Sequence, residues 1–300
     1  MRPNARFVKQ GKDFWAHVRS VSESVGYTLR GKGAVKVPSI GEIADALRAR
    51  SLGSRHVADG RGRPTDYGRI LEAYFKHRAD VLNTIVEPQL MDAAHARKLF
   101  KRLSSQYRPR PEDIPWNKQK GEKKAPAFLT AIVNMIVRAH CAGENCEFDP
   151  RSLTTFTRDG KPLRTLARRV DGAFPGVVNP VAVWEVKEYY YTTTFGSRVA
   201  DGVYESLLDG MELEELREHE GVHVEHYLMV DAHYTWWQCG RSYLCRIIDM
   251  LHMGYVDEVL FGYEVVERLP LIVRNWVKAL RARSSGRTPP DNRLVRHNVP

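Results

Sequence analysis

A glutamate and a lysine stand two positions apart inside a nearly continuous apolar and aromatic run, VWEVKEYYYTTT, at residues 183–194. Because side chains alternate across a strand, Glu185 and Lys187 must share one face. Trp184 and Val186 then point to the opposite face. Two charges side by side on a buried strand are costly unless a partner balances them, and a salt bridge or a metal ion could do so.

A second carboxylate precedes this run. Asp171 lies in the segment 166–174, which we predict to be a strand, and the turn 175–180 follows it. The intervening chain is long enough for antiparallel pairing that brings Asp171 beside Glu185. Two carboxylates and a lysine at one end of a sheet form a site for a hard cation, with a positive charge that can handle an anionic nucleophile or a phosphate. A buried network of salt bridges is the structural alternative.

Strands and helices alternate in the C-terminal half of the sequence, and they must position these side chains. An apolar helix is predicted at 125–140. The strands that follow are predicted at 166–174, 181–191, 224–237 and 256–266, and the helices between them at 197–216 and 241–254. This order predicts an α/β fold with a mixed central β-sheet flanked by helices, in which a hairpin leads into strand–helix–strand–helix–strand.

The N-terminal part of the sequence has the pattern of paired helices. Ser39 can cap a helix at 40–50, and Thr65 can cap a longer amphipathic helix that stops before Pro88. A basic, glycine-containing loop joins the two. This arrangement is compatible with a helix-turn-helix-like DNA-reading domain, and a helical hairpin with only a structural role is the alternative.

A run rich in proline and lysine, 107–124, has the composition of a linker. It divides the chain into a helical DNA-reading domain at 1–106 and a catalytic domain at 125–270. A basic C-terminal helix and tail are predicted at 271–300.

The composition is that of a globular protein, with 43% hydrophobic and 27% charged residues, which permits a sizeable core. No run of about 18 apolar residues is present to cross a membrane, and the first residues lack the apolar stretch of a signal peptide. We therefore expect a cytoplasmic protein that is nucleoid-associated when it binds DNA. The four cysteines fit a reducing compartment, and their spacing favours buried thiols over a zinc site.

Positive charge is concentrated in two segments. The net charge is +10; ten Lys or Arg against three acids fall in 97–124, and seven against one acid fall in 274–300. Solvated faces and a disordered tail are the ordinary interpretation of either segment alone. Two such segments flanking an apolar, strand-rich centre favour a nucleic acid as the partner.

The acid on one hairpin strand and the Glu185-Val186-Lys187 triplet on the next resemble the motif of the PD-(D/E)XK nuclease superfamily, the fold of most type II restriction endonucleases. The order of elements over 125–267 also resembles that family's core. The resemblance implies that Asp171, Glu185 and the Val186 carbonyl hold one or two Mg²⁺ ions, for which Mn²⁺ can substitute. It also implies that Lys187 orients the attacking water and stabilises the charge that develops on the phosphate.

Two features depart from that family pattern. Arg169 and Val170 stand at the place of the family's nominal proline. The helix at 125–140 contains no acid, which leaves Glu122 and Glu144 as poor candidates for the additional upstream acid.

Several residues are expected to contact DNA. The loop GRGRP at 60–64 resembles the core of an AT-hook, an extended segment whose arginines lie in the minor groove of A·T-rich DNA, and a plain solvent loop is the alternative. Threonine hydroxyls and an arginine guanidinium follow the strand of Glu185. These groups could contact phosphates or base edges. The alternative is that the threonines cap the following helix. The full set of predicted contacts is Arg61, Arg63, Lys118, Lys120, Lys123, Lys124, Thr192, Thr193, Thr194 and Arg198.

These observations predict a Mg²⁺-dependent endonuclease that hydrolyses double-stranded DNA, of the site-specific type II restriction kind. Such an enzyme is expected to be a homodimer in which each subunit cuts one strand, with a cognate DNA methyltransferase acting on the same site. One alternative is a DNA repair or junction-resolving nuclease of the same fold. Another is a non-catalytic DNA-binding regulator.

Overall fold

The computed structural model describes residues 1–29, 34–117, 125–192 and 196–285, leaving aside the side chain of Arg198. Helices dominate the first part of the chain and alternate with strands in the second. The α-helices of these ranges are α1 (Ala5–Val8), α2 (Lys12–Val25), α3 (Ile40–Ala49), α4 (Asp66–Val81), α5 (Glu87–Gln89), α6 (Ala93–Tyr107), α7 (Phe128–His140), α8 (Ser197–Glu220), α9 (Arg241–Met253) and α10 (Glu264–Ser284).

Five strands form one mixed sheet, and two more form a separate hairpin. The strands are β1 (Glu147–Phe148), β2 (Thr155–Arg158), β3 (Lys161–Thr165), β4 (Gly172–Phe174), β5 (Ala182–Glu188), β6 (Glu225–Asp231) and β7 (Glu258–Phe261). The large sheet has the order β1-β4-β5-β6-β7, with β4 antiparallel to β1 and β5, and with β5, β6 and β7 parallel. The predicted α/β fold with a mixed, helix-flanked sheet is confirmed at this level.

The sheet is covered on both faces, because its central strands are apolar on both. On one face the indole of Trp184 stacks on that of Trp276 from α10, with ring centroids 5.4 Å apart, and α7 completes this layer. On the other face Leu228 and Val230 of β6 pack with α9. Strands buried on both sides explain why 181–191 is a nearly continuous apolar run rather than an alternating one.

All four predicted strands are shorter in the structure, and the segment 181–191 is a strand only over β5, Ala182–Glu188. Of the segment 166–174 only its last three residues pair in the sheet, because the preceding residues lead in from the β2–β3 hairpin. β6 ends where Ala232 adopts a φ of 124°, and Tyr234–Cys239 is π-helical rather than extended. β7 ends where Gly262, at a φ of 46°, turns the chain into α10.

The predicted helix caps in the N-terminal part are confirmed. Ser39 and Glu42 form a capping box at the start of α3. The Thr65 side chain accepts a hydrogen bond from the backbone N–H of Gly68 at the start of α4. Each cap satisfies a donor that the first helical turn leaves without a partner.

The connection between α3 and α4 is a loop, as predicted, but it does not have the length of a helix-turn-helix turn. It runs from Arg50 to Thr65, so it is much longer than the three- or four-residue turn of a helix-turn-helix. Beyond Val81, α4 continues as a π-helical segment, Leu82–Val86. Helical backbone then runs on through α5, which contains Pro88, so the helix does not stop before this proline as predicted.

α6 packs in the core of the sheet, although the predicted domain boundary at 106 places it with the N-terminal helices. Leu99 and Leu103 share one apolar cluster with residues of α7. The described half of the predicted linker is also anchored, because the buried Asp113 carboxylate accepts from Arg138 of α7 at 2.8 Å.

No helix within the described ranges has the length and hydropathy needed to cross a bilayer. Cys141, Cys146 and Cys245 are buried free thiols, and Cys239 is an exposed one.

Candidate active site

Glu185 and Lys187 lie on the same face of β5, as the strand alternation predicted. Lys187 Nζ is 2.7 Å from Glu185 Oε2, and both side chains are buried against α8. Nζ also donates to Glu205 Oε2 of α8 at 3.0 Å. The costly pair of buried charges is thus balanced by further ionic contacts rather than left alone.

Asp171 meets Glu185 across the β4–β5 hairpin, as predicted. Its backbone N–H donates to Glu185 Oε1 at 3.1 Å and to the carbonyl of Trp184 at 3.1 Å. Its carboxylate oxygen Oδ2 accepts from the backbone N–H of Val186 at 2.8 Å. Three hydrogen bonds therefore hold Asp171 and Glu185 in register. One is accepted by the Glu185 side chain, one by the Asp171 side chain and one by the Trp184 carbonyl.

The Val186 carbonyl points to the same side of β5 as Asp171. In a strand, the N–H and C=O of one residue point to the same neighbouring strand. The Val186 N–H is directed at the Asp171 carboxylate, so its carbonyl is directed to that side as well. Asp171, Glu185 and the Val186 carbonyl therefore supply oxygen donors at one end of the hairpin.

Burial and the neighbouring charges separate the pKa values of the two acids. Burial, and then the negative charge of Glu185, raises the pKa of Asp171 to about 7. Burial acts in the same direction on Glu185, but Lys187 and Arg168 outweigh it and hold the pKa of Glu185 below its usual range. The two carboxylates raise the pKa of Lys187 despite its burial, so this ammonium stays charged at neutral pH.

Two further residues that were not predicted belong to this cluster. The guanidinium of Arg168, from the β3–β4 connection, lies 2.9 Å from Glu185 Oε1 and 2.6 Å from Asp209 Oδ2 of α8. Burial, and then the charge of Glu185, raises the pKa of Asp209 to about 7. Its other oxygen, Oδ1, is buried and has no hydrogen-bond partner among the described residues. We refer to Arg168, Asp171, Glu185, Lys187, Glu205 and Asp209 as the charged cluster.

One sequence signal could have identified Asp209. Ser206 and Leu213 are buried positions on α8, three residues before it and four residues after it. An acid within the buried stripe of a helix needs a cationic partner, and Arg168 is that partner.

Arginines dock the β2–β3 hairpin and its exit onto α8 in antiparallel order. Arg158 contacts Glu220 at 3.3 Å, and Arg164 contacts Glu215 at 2.6 Å. Arg168 contacts the acids nearer the start of α8. The segment that delivers Asp171 to the sheet is therefore held against the helix that delivers Asp209.

The charged cluster has the donors and the charge for a divalent cation. Four carboxylates face two cationic side chains, which leaves two negative charges when all are ionised. Hard cations such as Mg²⁺ prefer carboxylate and carbonyl oxygens. Burial, and then the negative charge of Glu185, raises the pKa of Asp171 and of Asp209, and a bound cation would favour their ionised forms. Within the described ranges, no three His, Cys, Asp or Glu side chains already converge as metal ligands. The guanidinium of Arg168 lies between Glu185 and Asp209.

The loop predicted to resemble an AT-hook is a compact turn rather than an extended segment. Asp59 Oδ1 accepts from the backbone N–H groups of Arg61 and Arg63 at 2.9 Å each, and Gly62 has a φ of 77°. The Arg63 guanidinium is paired with Asp59 at 2.8 Å. Both arginines are exposed, and a DNA contact by either stays a prediction.

The other predicted DNA contacts are only partly described. Thr192 lies in a turn after β5, where its N–H donates to the carbonyl of Tyr189 at 3.1 Å. Lys118, Lys120, Lys123, Lys124, Thr193, Thr194 and the side chain of Arg198 lie outside the described residues.

Two family models match the chain. The model described as Domain of unknown function (DUF7687) matches residues 91–276, and the one described as Domain of unknown function (DUF7690) matches residues 1–85. No curated protein and no solved structure matches it. The charged cluster lies wholly within residues 91–276, and the helices α1 to α4 lie within residues 1–85.

Proposed function

The chain belongs to the family of the domain of unknown function DUF7687, and we propose that it is a metal-dependent nuclease with a PD-(D/E)XK-like site. The observation that carries the proposal is the register of the hairpin. It places the Asp171 carboxylate on the Val186 N–H and the Asp171 N–H on Glu185, with Lys187 two residues further along the same face. A network of salt bridges alone does not require a backbone carbonyl beside two carboxylates whose pKa values are shifted in opposite directions.

In this proposal Asp171, Glu185 and the Val186 carbonyl hold a Mg²⁺ or Mn²⁺ ion. The metal would supply an activated water and neutralise charge on the phosphate. Because the pKa of Asp171 is raised, a bound cation would favour the ionised form of this carboxylate.

Lys187 acts as a fixed positive charge rather than as a base, because its pKa is raised. An ammonium has three N–H donors, and Glu185 and Glu205 take two of them. The third can orient a water molecule or stabilise the charge that develops on a phosphate oxygen.

Double-stranded DNA is the proposed substrate, cut by a homodimer of the site-specific restriction type, with a cognate methyltransferase as its counterpart. The positive charge supports a polyanionic substrate, since α6 exposes Arg97, Lys98 and Lys101 and α10 exposes Arg274 and Lys278. A repair or junction-resolving nuclease would use the same site on a different DNA structure.

A second candidate is a non-catalytic DNA-binding regulator. It is favoured by one observation, the guanidinium of Arg168 that lies against Glu185 and Asp209 where a cation would be bound. In a regulator the charged cluster would stabilise the fold only.

A cleavage assay distinguishes the two candidates. Purified protein is incubated with supercoiled and linear duplex DNA and Mg²⁺, and Glu185→Gln is compared with Glu188→Gln. Glu188 is on the same strand but faces the other way and caps α7 through Leu129 and Thr130, contacts that a glutamine can keep in part.

We expect Glu185→Gln to lower the cleavage rate by about 100-fold or more, while Glu188→Gln stays near the wild type. Asp171→Asn and Lys187→Met should behave like Glu185→Gln, with far-UV circular dichroism confirming the fold. If wild-type protein binds duplex DNA without metal-dependent cleavage, the regulator is the better description.

A further inference from the structure

Each oxygen of the Glu185 carboxylate is contacted by two groups. Oε1 accepts from the Asp171 N–H at 3.1 Å and makes an ionic contact with Arg168 Nη1 at 2.9 Å. Oε2 accepts from Lys187 Nζ at 2.7 Å and from Arg168 Nη2 at 3.2 Å. A carboxylate has about four lone-pair sites, so a cation can reach Glu185 only if one of these donors leaves.

Arg168 is the donor best placed to leave. The Asp171 N–H is fixed by its other hydrogen bond to the sheet, and Lys187 is held on β5 itself. Arg168 comes from the connection between β3 and β4, outside both strands. Its guanidinium also contacts Asp209 at 2.6 Å and Glu205 at 3.5 Å, so it can release Glu185 and stay paired with α8.

We propose that Arg168 is an internal cation that competes with the divalent metal for Glu185. Without metal, the guanidinium bridges β5 to α8 and satisfies Glu185 and Asp209 together. When metal binds, Arg168 would give up its hydrogen bond and its ionic contact to Glu185 and remain on Asp209 and Glu205. Arg168 is thus a positioning residue that sets how much metal is needed to load the site, an inference that rests on the proposed function.

The consequence is that Arg168 lowers the affinity for metal, although it belongs to the site. Substitution of a residue that supports the site weakens metal binding. Substitution of a residue that competes with the metal for Glu185 strengthens metal binding. The direction of the effect therefore separates a competing role from a merely structural one.

The test is Mn²⁺ binding to the full chain, measured by isothermal titration calorimetry without DNA. Arg168→Met is compared with Arg164→Met. Arg164 lies four residues earlier in the chain and pairs with Glu212 and Glu215, but it does not contact Glu185. The double variant Arg168→Met/Asp209→Leu removes one positive and one negative charge, so the net charge of the cluster is unchanged. Because this double variant removes both Arg168 and Asp209, neither is left buried without its counterpart, and we expect the fold to be retained.

We expect Arg168→Met and the double variant to bind Mn²⁺ at least about tenfold more tightly than the wild type, the effect of removing a hydrogen bond between charged groups. Arg164→Met should bind as the wild type does, and Glu185→Gln should abolish the tight site. Unchanged or weaker Mn²⁺ binding by both Arg168 variants, with a Glu185-dependent site in the wild type, would overturn the competing role and leave the nuclease proposal standing. If no variant binds Mn²⁺ through Glu185, the metal centre itself is refuted.

Discussion

Gly202 of α8 faces the side chain of Lys187 so closely that an added Cβ would require a neighbouring side chain to shift. A Cβ at this position would lie 3.1 Å from Lys187 Cδ and 2.8 Å from the hydroxyl of Tyr189. The absence of a side chain at Gly202 is therefore what lets α8 approach the charged cluster.

We predict that Gly202→Ala displaces Lys187 or α8 and lowers any Mg²⁺-dependent cleavage by about tenfold or more, because catalytic groups must hold their positions closely. Stability should change little, since alanine gains up to about 1 kcal/mol of helix propensity against the contact it creates. Cleavage rate and thermal unfolding are the measurements. Gly196→Ala is the control, because a Cβ there has no atom within 4 Å. Equal activity of the two variants would show that the close approach does not position Lys187.

A buried ion pair joins the N-terminal helices to the sheet domain. Arg78 of α4, 1% exposed, donates to both oxygens of Asp249 on α9 at 2.9 and 3.0 Å, and the hydroxyl of Tyr74 donates to the same carboxylate at 2.6 Å. We predict that Arg78→Met lowers the free energy of unfolding by about 3–5 kcal/mol, since it leaves Asp249 buried without its cation. Urea denaturation measures the loss.

Two comparisons test that interpretation of the ion pair. Arg78→Met/Asp249→Leu should recover most of the loss, because both buried charges are gone. Arg69→Met, which breaks an exposed pair with Asp66, should cost no more than about 1 kcal/mol. A double variant as unstable as the single one would mean that packing, not the unpaired charge, dominates.

Acid should destabilise the fold through His252. Burial, opposed by a hydrogen bond to Ile248 and reinforced by His77, lowers the pKa of His252 from 6.5 to about 4. Between about pH 6.5 and 4 the unfolded chain binds a proton that the folded chain does not, so stability is lost as pH falls through this window. Asp249 and His77 face the same ring, and His77, whose pKa is also lowered by burial, contributes to the total slope.

The measurement is the free energy of unfolding at steps from pH 7 to pH 4 for wild type, His252→Asn and His219→Gln. His252→Asn should flatten the slope by up to about 1.4 kcal/mol per pH unit. His219 is exposed near the end of α8, so His219→Gln should keep the wild-type slope. Parallel curves for all three proteins would exclude His252 as a source of acid sensitivity.

Salt dependence tests the basic surface of α6. Each phosphate contact releases counterion, with a slope of about −0.9 in log K against log salt. We predict that Lys98→Gln/Lys101→Gln weakens duplex binding for all sequences alike and flattens the slope by about 0.9 per lost contact, measured with Ca²⁺ in place of Mg²⁺. Lys76→Gln should have less effect, because Lys76 already pairs with Asp80 at 2.6 Å. A wild-type slope near zero would remove the argument for DNA.

The local features of this protein could be predicted from its amino-acid order. Alternation along β5 put Glu185 and Lys187 on one face, and the spacing of the hairpin allowed Asp171 to reach them. Ser39 and Thr65 marked the starts of α3 and α4, because a capping side chain acts within three residues of its own position. These features were predictable because each depends on neighbours in the chain.

The surroundings of those residues depend on how distant segments pack together. Arg168 and Asp209 meet although 41 positions separate them, because the β2–β3 hairpin docks on α8 through ion pairs that no periodicity records. The ends of β6 and β7 depend in the same way on positive φ angles at Ala232 and Gly262 that the surrounding fold imposes. Contacts between distant segments are set by how whole elements pack, and a local pattern carries no information about the partner that packing will supply.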